Sequence, residues 1–275
     1  MVSLNRIRFG GVFSNELNMP DLIMDCAFDS DNSEVNTFLT REAVFSESYD
    51  GRNRRISSFK YTENFAPKFT FLKKDFKDFT QDEIRVLLKY LTSKDTTGLL
   101  EAYDDDSNVI SWASIGNFSE IQLYKIANKR VVGVTAVWDS ISPFALSDLH
   151  TVTKTITATD NKITIHIDTD DNKPVYPCVI IQTNGNDVKF INKHTDFFNK
   201  SKSYNSLEVI NNASSETVTV DGANQIIKTS LTRRIFGDDF NRVWLELYDG
   251  KNEITVDGSC TVTLTWREVR KVGEY

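Results

Sequence analysis

Apolar residues recur along this chain mostly at every second position, and at only one place with the spacing of a helix. Ile84, Leu87, Leu88 and Leu91 fall at i, i+3, i+4 and i+7, which predicts an amphipathic helix over Thr80 to Leu91. Its start is written locally: Thr80 can accept from the Glu83 amide while the Glu83 carboxylate reaches back to the Thr80 amide, the reciprocal pairing of a capping box. Just upstream, Lys68 to Leu72 alternates aromatic and polar residues, and with Phe76 and Phe79 it is expected to cover the apolar face of that helix. Val131 to Trp138 is apolar on both sides, the pattern of a strand covered on two faces by sheet, helix or a neighbouring subunit.

Pro143 cannot donate to a ladder and holds Ser142 extended, so the strand ends there. Beyond it the runs become short and alternating: Thr151 to Thr159, Lys162 to Thr169, Tyr176 to Thr183, Asp187 to Asn192 and Glu216 to Val220, spaced as in a β-sandwich. The C-terminal stretch reads as strand, turn, strand, turn, strand, with Asp249-Gly250 and Asp257-Gly258 as the turns. Those pairs, and Asn184-Gly185 before them, are expected to make tight hairpins, because glycine takes positive φ at no steric cost. In the last strand Val262, Leu264 and Trp266 should face inward while Thr261, Thr263, Thr265 and Arg267 face water. The expected fold is mainly β with one prominent α-helix, divided into an N-terminal domain over 1–143 and a C-terminal β-sandwich over 144–275.

With 275 residues the chain can bury a core without covalent staples. Cys26, Cys178 and Cys260 are far apart and lack C-x-x-C spacing, which implies neither a metal knuckle nor a disulfide framework but reduced, mostly buried thiols. The net charge of −7 is spread over both halves, so neither half has the basic footprint of a nucleic-acid binder. No apolar run approaches the length that spans a bilayer, and Met1 to Arg8 lacks the continuous apolar core of a leader, so no membrane insertion is expected.

Candidate chemistry is sparse. His166 lies on the polar side of the alternating Ile163-Thr164-Ile165-His166-Ile167 run, and His150 and His194 have no partner at ligand spacing. Asp104-Asp105-Asp106 lacks the remainder of a calcium loop and reads as a solvated turn. No nucleophile elbow, phosphate-binding glycine loop or dinucleotide turn occurs, and no catalytic residue, cofactor or metal is assigned. Arg52, Arg54 and Arg55 form the basic cluster beside the Asp50-Gly51 turn, either a solvated tip or a contact with a partner, since guanidinium groups suit interfaces. Trp244, Glu246 and Tyr248 alternate on one side, opposite Val243, Leu245 and Leu247. An aromatic beside a carboxylate can grip a sugar, and a tryptophan is also a common core anchor.

The run from Phe240-Asn241 through Trp244-Leu245 to Leu247, Gly250 and Asn252, followed by a Thr/Val-rich strand ending in Trp266-Arg267, resembles the C-terminal end of the distal tail proteins of long-tailed (siphovirus-type) phages. Tyr49-Asp50-Gly51, the helix, Gly98 to Asp105 and Trp138 to Ala145 fall in that family's order, so the likeness covers roughly the whole chain. The resemblance implies an N-terminal ring-forming split β-barrel or sandwich domain and a galectin-like or carbohydrate-module-like C-terminal β-sandwich. It implies a non-enzymatic baseplate hub at the tail tip of the virion, assembled in the host bacterial cytoplasm. Six copies would ring the DNA channel without binding DNA specifically, joining the tail tube protein to a tail-associated lysin or spike, with receptor-binding protein or cell-wall glycan at the periphery. Arg52, Arg54, Arg55, Val132, Val134 and Trp138 are then the candidate ring contacts, and Trp244, Glu246 and Tyr248 the candidate glycan contacts of an alternative, adhesin-like reading. Some relatives carry a long C-terminal insertion as an arm; this chain has little room for one.

Overall fold

The computed structural model describes residue 4 and residues 6–27, 41–47, 54–61, 64–104, 109–126, 130–171, 173–193 and 206–271. They fall into two compact units, Met1–Asp148 with Arg270–Tyr275, and Leu149–Val269.

In the first unit the main sheet is antiparallel and runs β2 (Val12–Phe13), β1 (Arg6–Phe9), β7 (Gly98–Tyr103), β8 (Trp112–Ile126), β9 (Arg130–Ser140), β6 (Lys68–Lys73), β3 (Leu22–Ala27), with β10 (Ala145–Leu146) set against β8. The path is open, with no barrel closure among the described strands. The helix, α1 (Gln81–Leu91), begins at Thr80 with the expected box: Glu83 N donates to Thr80 Oγ1 at 3.2 Å and Thr80 N donates to Glu83 Oε2 at 2.7 Å. Leu87, Tyr90 and Leu91 are buried in the same apolar cluster as Phe69 and Phe71 of β6, so the alternating aromatic segment and the helix do share a core. Phe79 joins them, but Phe76 does not: it is 73% exposed in the turn leading to the helix.

Strand β9 lies between β8 and β6, and this overturns one expectation. Val134 and Trp138 are completely buried within their own subunit. Trp138 meets Phe9 and Phe118 edge to face, with ring centroids 5.5 and 5.0 Å apart, and its Nε1 donates to Ser114 Oγ at 3.0 Å. A side chain with no accessible surface cannot form a ring contact, so both residues belong to the core; Val132 alone of the three keeps partial exposure. A continuous apolar run is the mark of any doubly covered strand, whichever chain provides the cover.

Apart from the main sheet, β4 (Arg41–Glu47) and β5 (Arg54–Tyr61) form a two-stranded ribbon that pairs with no other described strand.

The second unit is an antiparallel sandwich. One sheet runs β11 (His150–Ile156), β19 (Cys260–Trp266), β13 (Cys178–Asn184), β16 (Ser214–Asp221), β17 (Ile226–Thr229). The other runs β12 (Lys162–Ile167), β18 (Gly250–Asp257), β14 (Val188–Lys193), β15 (Ser206–Val209). Alternation decides which side of each strand is buried: Ile163, Ile165 and Ile167 of β12, Phe190 of β14, Val179 and Ile181 of β13 and Val262, Leu264 and Trp266 of β19 all enter one apolar cluster. Strands β15 and β17 are each only four residues long and carry little pattern in the sequence.

The glycine pairs lie at chain reversals as expected, but two of these reversals join different sheets. Asn184-Gly185 links β13 to β14 and Asp257-Gly258 links β18 to β19, and in each case the two strands belong to opposite sheets. They are corners between the layers rather than hairpins. Glycine is required at both: Gly185 has φ +83° and a Cβ there would lie 2.8 Å from Ser214 Oγ, while Gly258 has φ +102° and a Cβ would lie 2.1 Å from the Asp187 carbonyl oxygen. Residues 241–246 form no strand; isolated bridges Phe240 to Val209 and Leu247 to Val175 tie that segment down at its ends. Asp249-Gly250 therefore leads from this segment into β18, which pairs with β12 and β14.

Candidate functional site

The β4–β5 ribbon gathers several exposed apolar residues on one short element. Its strands pair from Arg41 opposite Tyr61 to Glu47 opposite Arg54, with a bulge beside Val44. Phe45 and Ile56 face each other across the ladder and are 53% and 54% exposed; Val44 is exposed too. Of the predicted basic cluster, Arg54 and Arg55 occupy the start of β5, opposite Glu47 and Ser46, and Arg52 lies outside the described residues. The sequence gives little sign of the ribbon's exposed apolar pair, because Ala43-Val44-Phe45 is too short a run to tell a covered strand from an exposed one and Ile56 stands between Arg55 and Ser57.

The second candidate set, Trp244, Glu246 and Tyr248, lies along the segment that forms no strand. Trp244 is half-buried against the sandwich core and meets Phe240 with centroids 5.0 Å apart, the anchor role. Glu246 is engaged by two phenols: Tyr176 Oη donates to Oε1 at 3.1 Å, and Tyr248 Oη donates to Oε2. Burial, and then the bond donated to Glu246, push both tyrosine hydroxyls above their ordinary range, so the two act as donors rather than as phenolates. Tyr176, the partner absent from the sequence pattern, is 38% exposed; it lies 70 positions away and no local spacing could reveal it.

The remaining motif residues hold architecture. Asn241 Oδ1 accepts from Glu208 N at 3.2 Å and its Nδ2 donates to Ser206 O at 2.6 Å, so one side chain extends the ladder of β15. Asn252 is fully buried: its Oδ1 accepts from Tyr248 N at 2.9 Å, and its Nδ2 donates to the carbonyls of Tyr248 and Gly250. Asn192 Nδ2 reaches both Glu246 O and Asn252 Oδ1, which closes the network. A segment without strand partners satisfies its backbone through asparagines.

A buried ion pair, also unsignalled in the sequence, fixes the loop that precedes this segment. Arg234 Nη1 donates to Glu216 Oε2, Nη2 donates to Ile210 O at 2.8 Å, and the guanidinium lies 4.7 Å from the Phe236 ring centroid. Glu216 has no exposed surface and also accepts from Thr229 Oγ1 and Ala213 N.

Neither described histidine joins a metal-binding group. His166 is exposed on the polar side of β12, and His150 stacks on Trp266 at 5.5 Å; His194 lies outside the described residues. Cys26 and Cys260 are buried, Cys178 is half-buried, and all three are free thiols. Among the described residues no group of His, Cys, Asp and Glu has metal-binding geometry, and no helix is long and apolar enough to cross a membrane.

Comparison with known proteins supplies the context. No curated protein matches the chain by sequence. Among solved structures, the chain is similar to the Dit protein (gp 19.1) of phage SPP1, described as a paradigm of the hub adsorption apparatus in Gram-positive-infecting phages, with a TM-score of 0.60 at 13% identity over 95% of this chain and 98% of that one. It is also similar to a protein of the phage P2 baseplate in its activated conformation with calcium, with a TM-score of 0.55 at 9% identity over 99% and 100% of the two chains. At such identities the likeness establishes a shared fold. Two family models match in sequence: a phage tail protein N-terminal domain over residues 7–142 and a phage tail C-terminal domain over residues 144–266. The chain therefore belongs to a family of phage tail proteins and is a structural tail component rather than an enzyme.

Proposed function

We propose that this chain is the tail-tip hub: six copies close head to tail into a ring around the DNA channel, with residues 1–143 forming the ring and 144–275 a sandwich domain attached to it. The ring joins the tail tube to a tail-associated lysin or spike, carries receptor-binding components at its periphery and works in the virion after assembly in the host cytoplasm. The observation that carries this reading is the β4–β5 ribbon. A two-stranded sheet is marginal alone in water, and Phe45 with Ile56 adds an exposed apolar pair to it. A neighbouring copy supplies the missing cover, and repetition of one such head-to-tail contact closes a ring. Arg54 and Arg55 at the start of β5, Arg52 just before them in sequence and Val132 on β9 are the further contacts of this interface. The fold shared with a hub protein and a baseplate protein supports the placement. A net charge of −7 suits a bore through which phosphate backbone must pass without being held.

Six copies of 31.3 kDa amount to about 190 kDa under cyclic closure. Light scattering behind a sizing column, with negative-stain imaging, should find annular particles of that mass, and Phe45→Ser with Ile56→Ser should return them to monomers. A wild-type chain that stays monomeric at high concentration ends the proposal.

A second reading, a glycan contact, draws on Tyr176 and Tyr248 converging on Glu246 beside Trp244. Two aromatic rings and a carboxylate meet there at a partly exposed surface, the components of sugar recognition. Titration with host cell-wall polysaccharide, read by intrinsic fluorescence, tests it; no change for wild type or an unaltered response in Tyr176→Ala excludes it.

A further inference from the structure

The corner between β13 and β14 carries a chemical liability that has nothing to do with partners. Asn184 ends β13 with its side chain exposed, and its carboxamide makes no hydrogen bond among the described residues. The next residue must be glycine, because φ is +83° and a Cβ would stand 2.8 Å from Ser214 Oγ. The side chain that elsewhere hinders the following backbone nitrogen from reaching the asparagine Cγ is therefore excluded by the fold itself. Gly185 is exposed, and its amide donates to no acceptor among the described residues. Several other asparagines are held differently: Asn192, Asn212, Asn241 and Asn252 each use Nδ2 in hydrogen bonds to carbonyl groups, while the exposed Asn15, Asn18 and Asn186 are followed by Glu16, Met19 and Asp187 rather than by glycine.

We infer that Asn184 is a site of spontaneous deamidation, the place where this protein ages first. The Gly185 amide nitrogen gives its proton to hydroxide or a general base and attacks Asn184 Cγ. The Cγ–Nδ2 bond breaks, ammonia leaves, and a five-membered succinimide forms between the two residues. Water then adds to either ring carbonyl. Opening on one side leaves an aspartyl side chain, and opening on the other leaves an isoaspartyl link with the backbone routed through Cβ and Cγ. No oxidant or reductant is involved. Both products add a negative charge to the corner, and the isoaspartyl form also lengthens the backbone by one carbon where it crosses between the sheets. That corner has little slack, since the Asp187 carbonyl lies within contact of Gly258 in the other crossing.

The test uses the native full-length chain, incubated in mildly alkaline buffer and sampled by peptide mapping with isoaspartyl methyltransferase labelling. The first conversion should map to Asn184, with isoaspartyl product exceeding aspartyl, and Asn184→Gln should abolish it because a glutamine must close a larger ring. The aged fraction should unfold at lower urea than fresh protein. Conversion that begins at another asparagine, an Asn184→Gln chain that ages at the wild-type rate, or an Asn184 that reacts only once the chain is unfolded in urea would each overturn the inference. None of these outcomes depends on whether the chain forms a ring.

Discussion

In the sandwich, Ile163, Ile165 and Ile167 of β12 enter one apolar cluster with β13, β14 and β19, and each is at most 4% exposed. In the β4–β5 ribbon, Phe45 and Ile56 pair across the strands and each keeps more than half its surface in water. Both are antiparallel ladders of period-2 residues, so the difference is not in the strands but in what stands opposite them. The sandwich has a second layer within the same chain. In the ribbon Tyr61 meets Phe144 with ring centroids 4.7 Å apart, but Phe45 and Ile56 stay more than half exposed. This is how a subunit edge differs from a domain core: an apolar pair left exposed is a place for another molecule.

Five measurements test that contrast. The largest effect belongs to the sandwich core, where Phe190→Ala should cost about 3–5 kcal/mol by leaving a cavity between fully packed layers, read as a lowered urea midpoint. Removing one member of the buried ion pair comes next: Arg234→Ala strands the Glu216 carboxylate and should cost roughly 3 kcal/mol, whereas Arg234→Met with Glu216→Leu should recover much of it. A third test is alkaline. Burial pushes the Cys260 thiol from 9.0 up to about 11, so the unfolded chain ionises first as pH rises; the stabilisation is complete below 9.0 and is lost by about 11. Linkage sets that loss at up to roughly 2 kcal/mol, and Cys260→Ala should remove its share of the slope in urea midpoint against pH. Thr80→Ala removes the helix cap and should cost about 1 kcal/mol, detectable as a small fall in melting temperature. The smallest effect on subunit stability, under about 0.5 kcal/mol, is expected from Phe45→Ser, since an exposed residue stabilises little. If Phe45→Ser instead destabilises the subunit as much as Phe190→Ala does, the ribbon is part of the subunit's own core and the contrast fails.

What could be read in the sequence divides along the same line. Signals confined to a few residues were legible: the Thr80 and Glu83 cap, the inward side of β19, the glycine turns. Signals that depend on which layer a strand joins were not. Asn184-Gly185 and Asp257-Gly258 look like hairpins because a sharp reversal demands glycine whether the chain returns to the same sheet or crosses to the facing one. Val134 and Trp138 look like interface residues because a buried central strand and a contact strand are equally apolar. In the candidate site, Glu246 and Tyr248 stand in one short run, but Tyr176 comes from the other side of the Val175–Leu247 bridge, 70 positions away, with no spacing to betray it.

One consequence of the strand order concerns synthesis. In each layer of the sandwich a strand from near the end of the chain occupies an interior position: β18 lies between β12 and β14, and β19 lies between β11 and β13. Their neighbours leave the ribosome first and wait, with the seam between them open, for strands that come last. The second unit cannot therefore zip up progressively behind the translating ribosome; it closes only when Cys260–Trp266 has emerged, which makes nonsense or frameshift truncations even slightly upstream as damaging as loss of the whole layer.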